Sequence, residues 1–144
     1  MGINAEILIV TPKNKAILNE FISGLDREQD SFRYFKNRDL DVIKNHLITI
    51  LLLDAGNPIG YGHLDKEDDK VWLGIVIKED YQGKGLANIL MNELLRNGDK
   101  MGINTISLSV DTTNERAKAL YKKHGFHLLQ AKDHYVIYQR NVKE

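Results

Sequence analysis

Gln82-Gly83-Lys84-Gly85-Leu86-Ala87 stands between an apolar run over 71–78 and an amphipathic stretch over 85–98, and its reading decides the fold. Glycines at the mouth of a helix leave the backbone bare, so an anionic group can approach the free N–H groups there. The partial positive charge of a helix N-terminus adds to that attraction. The stretch therefore predicts a strand, a phosphate-holding turn and a helix, in that order.

Working outward, the helix over 85–98 presents Leu86, Ile89, Leu90 and Leu94 as its buried stripe. A strand over 105–110 follows, with Ile106, Leu108 and Val110 alternating. Strand, helix and strand over 71–110 suit a right-handed parallel crossover. Upstream, 47–54 is a near-continuous apolar run and reads as a buried strand. Ala55-Gly56-Asn57-Pro58 is turn chemistry, and 59–64 is the next strand, with Ile59, Tyr61 and His63 on one face. Asp65 to Asp69 reads as an acidic turn before the strand over 71–78. Short connections make these three strands an antiparallel meander.

Residues 7–10 predict a first strand, and Thr11-Pro12 opens a helix over 12–23 that buries Ala16, Ile17, Phe21 and Ile22 and stops at Gly24. Residues 25–38 are polar with three aromatics and read as a loop or short helix. A later helix begins near Thr113, where Thr112 and Glu115 have capping-box spacing, and ends in Lys122, Lys123, His124 and Gly125. Strands over 126–130 and 134–139 close the chain. The expectation is one mixed α/β domain over 1–144.

Composition narrows the partners. Lys+Arg and Asp+Glu both number 20, so the net charge is zero and supplies no global attraction to nucleic acid or an anionic membrane. There is no cysteine, which excludes disulfides, Cys-based zinc sites and a thiol nucleophile. The five histidines lack metalloprotease spacing, so no metal is expected. No apolar run approaches membrane-spanning length. The opening Met1-Gly2-Ile3-Asn4-Ala5-Glu6 lacks signal-peptide character, and Glu6 stands where a myristoylation motif takes Ser or Thr, so the expected location is cytoplasmic.

Which phosphate the loop holds follows from spacing. A Walker A loop needs four residues between its Gly and a Gly-Lys pair, then Ser or Thr; here Leu86 follows Gly85. A dinucleotide fingerprint needs a third glycine where Asn88 stands and an acidic residue about twenty positions on. Neither fits. The plainest alternative is that Gly83 and Gly85 only turn a strand into a helix.

The pattern Gln82-x-x-Gly85-x-Ala87, after a strand and opening a helix, resembles the acetyl-CoA-binding motif of the GNAT N-acetyltransferases. Asn114-x-x-Ala117-x-x-x-Tyr121-x-x-x-Gly125-Phe126 resembles the family's second motif, about 30 residues on, and the element order agrees over roughly 5–140. The resemblance implies an acyl-CoA N-acyltransferase fold with an antiparallel N-terminal meander and a β-α-β crossover. It implies acetyl-CoA as cosubstrate, with its pyrophosphate on Gln82, Gly83, Lys84, Gly85, Leu86 and Ala87, and its pantetheine arm along the backbone of Ile75, Val76 and Ile77.

Asn114, Ala117 and Tyr121 share one helix face, and by resemblance that face touches the cofactor arm while Tyr121 protonates the departing thiolate. Tyr121 also reads as a core aromatic, and Asn114 equally as a helix-start residue. Many relatives carry a glutamate base on the strand before the loop, but Val71–Ile77 holds no carboxylate. His63 is the nominated base because its reference pKa of about 6.5 suits proton transfer; Asp65 or a water chain are the other choices, and Glu79 reads as a solvated charge. Phe32, Arg33, Tyr34 and Phe35, with His134 and Tyr135, frame the expected acceptor side, and Arg33 would hold an anionic acceptor group.

The resulting expectation is transfer of an acetyl group to a primary amine of a small molecule, by direct attack in a ternary complex. The alternatives are peptide or protein N-acetylation, and a non-catalytic CoA-binding sensor. A homodimer is compatible with this reading; nucleic acid and membrane partners are not expected.

Overall fold

The computed structural model describes residues 3–25, 32, 34, 35 and 38–142. The apolar run that predicted a buried strand forms β2 (His46–Asp54). Its side chains divide between two cores: Ile48, Ile50 and Leu52 enter one, Leu51 the other. A strand apolar on both faces needs cover on both. Helix α1 (Lys15–Ser23) supplies Leu18 and Phe21 on one side, and α2 (Leu86–Lys100) supplies Leu90, Met91 and Leu94 on the other.

The meander gains a fourth strand. β1 (Ala5–Ile9) pairs antiparallel with β2, β2 with β3 (Asn57–Glu67), and β3 with β4 (Lys70–Ile77). The β2–β3 turn places Ala55 and Gly56 at φ 48° and 87°, the double left-handed pair of the hairpin turns whose twist matches flanking strands. After α2 come β5 (Thr105–Asp111), α3 (Glu115–Lys123), β6 (His127–Ala131) and β7 (Tyr135–Asn141). The seven strands form one sheet in the order β1-β2-β3-β4-β5-β7-β6.

β4 and β5 are the parallel pair of the crossover, and they are in register at a single pair, Trp72 with Ser107. Toward their C-terminal ends they part. The outer edge of β4 beyond Trp72 therefore has no strand beside it, which positions everything that follows.

Close packing of α2 depends on side-chain-free positions in β3. A Cβ at Gly60 would lie 2.8 Å from Ile77 Cδ1 and 3.2 Å from Leu90 Cδ1; one at Gly62 would lie 2.9 Å from Leu94 Cδ1. Leu94 is fully buried there, which contributes about 2 kcal/mol of transfer free energy.

Several expectations are corrected. Ile59 joins the α2 core while Tyr61 joins the other. The register slips between Leu52/Gly60 and Leu53/Pro58, so Ile59 is the extra residue of a bulge and changes face. Ile89 is 38% exposed, and Met91, Leu95 and Gly98 complete the buried stripe instead. In α1 a 3-10 turn over Pro12–Asn14, capped by Thr11, delays the helix to Lys15. Leu18 and Phe21 are thereby buried, Ala16 is exposed, and Ile17 and Ile22 are half-buried. Asn114 rather than Thr112 caps α3, its Oδ1 accepting from the Ala117 N–H at 3.1 Å. The acidic turn is shorter than expected: Asp65 and Glu67 lie in β3, and Asp68 at φ 57° makes the turn.

Candidate functional site

A cavity of about 1100 Å³ opens where β4 and β5 part. Its walls are the ends of those strands, the mouth of α2, one face of α3, and aromatics from the segment before β2. At one end lies the glycine loop. Gly83 and Gly85 adopt φ 77° and 78°, values that cost a residue bearing a Cβ about 1–2 kcal/mol. Gly85 is the N-cap of α2 and no side chain caps that helix, so its first N–H groups remain to be satisfied by a ligand or solvent. Gln82 Nε2 donates to the Ile77 carbonyl at 2.9 Å and ties the loop to β4.

Gly83, Gly85, Leu86 and Ala87 line the cavity together with Ile75, Val76, Ile77 and Gln82; Lys84 does not. Asn114, Ala117 and Tyr121 line the facing wall, as their spacing predicted. Tyr121 is buried, 6.0 Å between ring centroids from Phe126, and burial alone pushes its hydroxyl pKa well up. His124 Nε2 and Asn88 Oδ1, 2.8 Å apart, fasten α3 to α2. Sequence reasoning missed Arg116, whose Nη1 lies 3.9 Å from where a Gly83 Cβ would sit. It stands off the Asn114–Ala117–Tyr121 stripe and 31 residues after Gly85 in the chain, so no local pattern pointed to it.

The other end is aromatic and polar. Phe32, Tyr34, Arg38, His63, Asp65 and Glu67 reach it from one side, His134 and Tyr135 from the other. Phe35 packs against Tyr34 and Tyr61 at 4.9 and 5.5 Å but does not line the cavity. Arg33, nominated for an anionic group, lies outside the described residues. Arg38 stacks on Tyr34, its Cζ 4.3 Å from the ring centroid, and pairs with Glu67 at 3.5 Å.

Two hydrogen-bonded chains run through this end. Tyr34 donates to Asp65 Oδ2 at 2.8 Å, and its oxygen lies 2.6 Å from His46 Nε2. His46 Nδ1 lies 2.7 Å from Thr49 Oγ1. A tyrosine has one hydroxyl hydrogen; given to Asp65, it leaves His46 Nε2–H as donor to Tyr34 and Thr49 O–H as donor to His46 Nδ1. Burial lowers the His46 pKa to about 4, so the ring is neutral, as that pattern requires.

Separately, Tyr61 Oη and His63 Nδ1 are 2.6 Å apart. Both residues are buried, and burial drives the His63 pKa well down. Among the described residues Tyr61 has no other acceptor, so it donates to Nδ1 and His63 carries its hydrogen on Nε2. His46 and Thr49 were missed in the sequence because their partners are distant in it; an alternating polar residue in the apolar run around Thr49 was the available signal.

Among the described residues no group of His, Asp or Glu is placed to hold a metal ion, and no helix is long and apolar enough to cross a membrane, which leaves β-barrels unaddressed. Residues 15–126 match the acetyltransferase (GNAT) family, and the chain belongs to that family. Over 59 residues it is 36% identical to the [ribosomal protein bS18]-alanine N-acetyltransferase of Escherichia coli K12; the match covers 41% of this chain and 40% of that relative, so the chain spans about two fifths of the curated relative it matches. The fold is shared with PaiA N-acetyltransferase from Thermoplasma acidophilum, solved with coenzyme A, at TM-score 0.75 and 20% identity, covering 96% of this chain and 99% of that one. It is shared also with yncA, a putative acetyltransferase from Salmonella typhimurium solved with acetyl-CoA, at TM-score 0.78 and 15% identity, covering 98% and 95%.

Proposed function

We propose that this protein transfers an acetyl group from acetyl-CoA to a primary amine of a small molecule, by direct attack with both substrates bound, and that it works in the cytoplasm. One observation carries the reading: a β4 edge with no strand beside it beyond Trp72, an uncapped helix mouth bared by two glycines, and a buried tyrosine all face one cavity. These features fit a long thioester with a pyrophosphate. Acetyl-CoA supplies an activated acyl carbon when bound.

The N–H groups of Gly83, Gly85, Leu86 and Ala87 hold the pyrophosphate, with Gln82 keeping the loop against Ile77 and Lys84 offering charge from outside the wall. Ile75, Val76 and Ile77 offer their open backbone edge to the pantetheine arm, as a sheet accepts an added strand. Asn114 and Ala117 shape the facing wall. The amine nitrogen bonds to the acyl carbon as the carbon–sulfur bond breaks. Tyr121, kept protonated by burial, gives its hydrogen to the departing sulfur and recovers one from the nitrogen. Phe32, Tyr34 and His134 frame the acceptor, with Phe32 and Tyr34 offering ring faces to a compact substrate.

A second reading, acetylation of a protein or peptide N-terminus, is favoured by the name of the matched E. coli relative. Thiol release from acetyl-CoA, measured across a panel of small amines and N-terminal peptides, tests both. Turnover confined to peptides would replace the first reading with the second. Acetyl-CoA binding without turnover on any amine would leave a sensor.

A further inference from the structure

We infer that Asp65 receives the acceptor as an alkylammonium ion and takes its proton, an inference that rests on the acetyl-transfer reading. An alkylamine has a reference pKa of about 10 and arrives protonated, without the lone pair that attack requires. The cavity must therefore hold a cation and accept a proton from it.

The other candidate groups are less suited, and Asp111, also on the cavity wall, has a partner of its own. Tyr121 is kept protonated by burial. His63, the base nominated from sequence, has Nδ1 filled by the Tyr61 hydrogen and presents Nε2–H, so it donates rather than accepts. Glu67 is paired with Arg38. His134 stands exposed at the rim.

Asp65 is different. It is 3% exposed yet forms part of the cavity wall. Its Oδ2 is the end point of the chain Thr49, His46, Tyr34, in which each hydrogen points toward the carboxylate. Among the described residues Oδ1 has no donor. Among the described residues no buried side-chain oxygen is left without a partner, so Oδ1 opens to the cavity, where a cation can pair with it. Tyr34 and His46 act through Asp65 and are positioning residues.

At Gly74, a β4 position on the cavity wall, a carboxylate is excluded sterically. His63 lies across the sheet from Gly74, and a Cβ at Gly74 would sit 2.6 Å from its Cε1 and Nε2. A side chain there has no room, so the acid comes from β3, two residue pairs along, opposite Trp72. In the step itself, an N–H bond of R–NH₃⁺ breaks and an O–H bond forms on Asp65 Oδ1. The freed lone pair attacks the acyl carbon, and Asp65 returns its proton to solvent through the cavity mouth.

The test compares wild type with Asp65→Asn, which keeps an oxygen for Tyr34. Thiol release is followed with n-butylamine and 1,4-diaminobutane, and with methoxyamine, which is already neutral near pH ~7. The expected result is a loss of about 100-fold or more in kcat/KM for the alkylamines but less than about 5-fold for methoxyamine, with acetyl-CoA affinity within about twofold by calorimetry. Binding of 1,4-diaminobutane to CoA-saturated protein, where no transfer occurs, should be lost in the variant. Equal losses for both amine classes, or none, overturn the inference. A wild type that binds acetyl-CoA but releases no thiol with any amine sinks the transfer reading instead, and the calorimetric arm still tests the ion pair. Tyr34→Phe is the second variant: it keeps the ring but not the hydroxyl, and should lower kcat/KM for alkylamines about 10-fold more than for methoxyamine.

Discussion

Replacing Gly74 by alanine adds one methyl group, and the structure says where it lands. The new Cβ would lie 2.6 Å from His63 Cε1 and Nε2 and 3.3 Å from Cδ2. His63 cannot swing aside cheaply. Tyr61 holds its Nδ1 at 2.6 Å, and the rings of Tyr34 and His46 stand 4.3 and 4.6 Å from it by centroid. Overpacking of this kind costs about 1–3 kcal/mol. If the ring moves, the Tyr61 hydroxyl loses its partner in a buried site, which is itself a penalty of about 1–3 kcal/mol. The two are alternatives, so the expected loss is about 1–3 kcal/mol, or roughly 3–9 °C in Tm.

The assay is urea unfolding followed by circular dichroism. Gly24→Ala serves as control. There the added Cβ meets Lys78 Nζ, the Glu20 carbonyl and the Phe21 carbonyl at 3.4–3.6 Å, ordinary contact distances, at φ −89°. That substitution should be neutral or stabilising by about 0.4–1 kcal/mol. A cycle with His63→Ala should return a coupling of about 1–3 kcal/mol, because the smaller residue relieves the clash. Gly74→Ala within about 0.5 kcal/mol of wild type, with Gly24→Ala behaving as expected, would refute the claim that His63 occupies that space rigidly.

Tyr121→Phe should bind acetyl-CoA within about twofold of wild type and lose about 100-fold in turnover, read by calorimetry and thiol release; unchanged turnover removes Tyr121 from its role. Gly85→Val forces a β-branched residue to φ 78° and should abolish measurable acetyl-CoA binding while costing about 1–2 kcal/mol of stability. Undiminished affinity in that variant would sink the pyrophosphate assignment. His46 has a folded pKa lowered to about 4 from 6.5, so the unfolded chain takes up a proton first as the solution is acidified. Stability should therefore fall as pH drops through that window, by about 2 kcal/mol for this group after allowing for solvent screening, and the effect is absent above it. His63, also shifted down, adds the same sign. His46→Gln should flatten the urea-midpoint profile relative to wild type, and an unaltered slope would show that the ring is not held neutral.

Short-range chemistry carried far into the structure. The two-faced apolar run of β2 announced a strand covered on both sides, and the glycine pair at 83 and 85 announced a turn that only glycine enters without strain. The spacing of Asn114, Ala117 and Tyr121 put three residues on one cavity wall, because helical periodicity is fixed by backbone geometry alone. Where a reading depended on registry it slipped. Ile59 alternates with Tyr61 in the sequence, but one bulge sends it to the other core. Asp65 looked like turn charge because acidic residues follow it, yet β3 continues through it and buries it.

By itself, then, the sequence determined the strand–loop–helix unit, the crossover and the family, since each rests on contacts among near neighbours along the chain. Tertiary structure alone decided which histidine nitrogen bears hydrogen, which carboxylate faces the cavity, and that Arg116 stands over Gly83. Tyr34 and Asp65 are 31 residues apart, and Asn88 and His124 are 36 apart. A side chain's protonation and direction are set by what the folded sheet brings against it, and no local pattern encodes that.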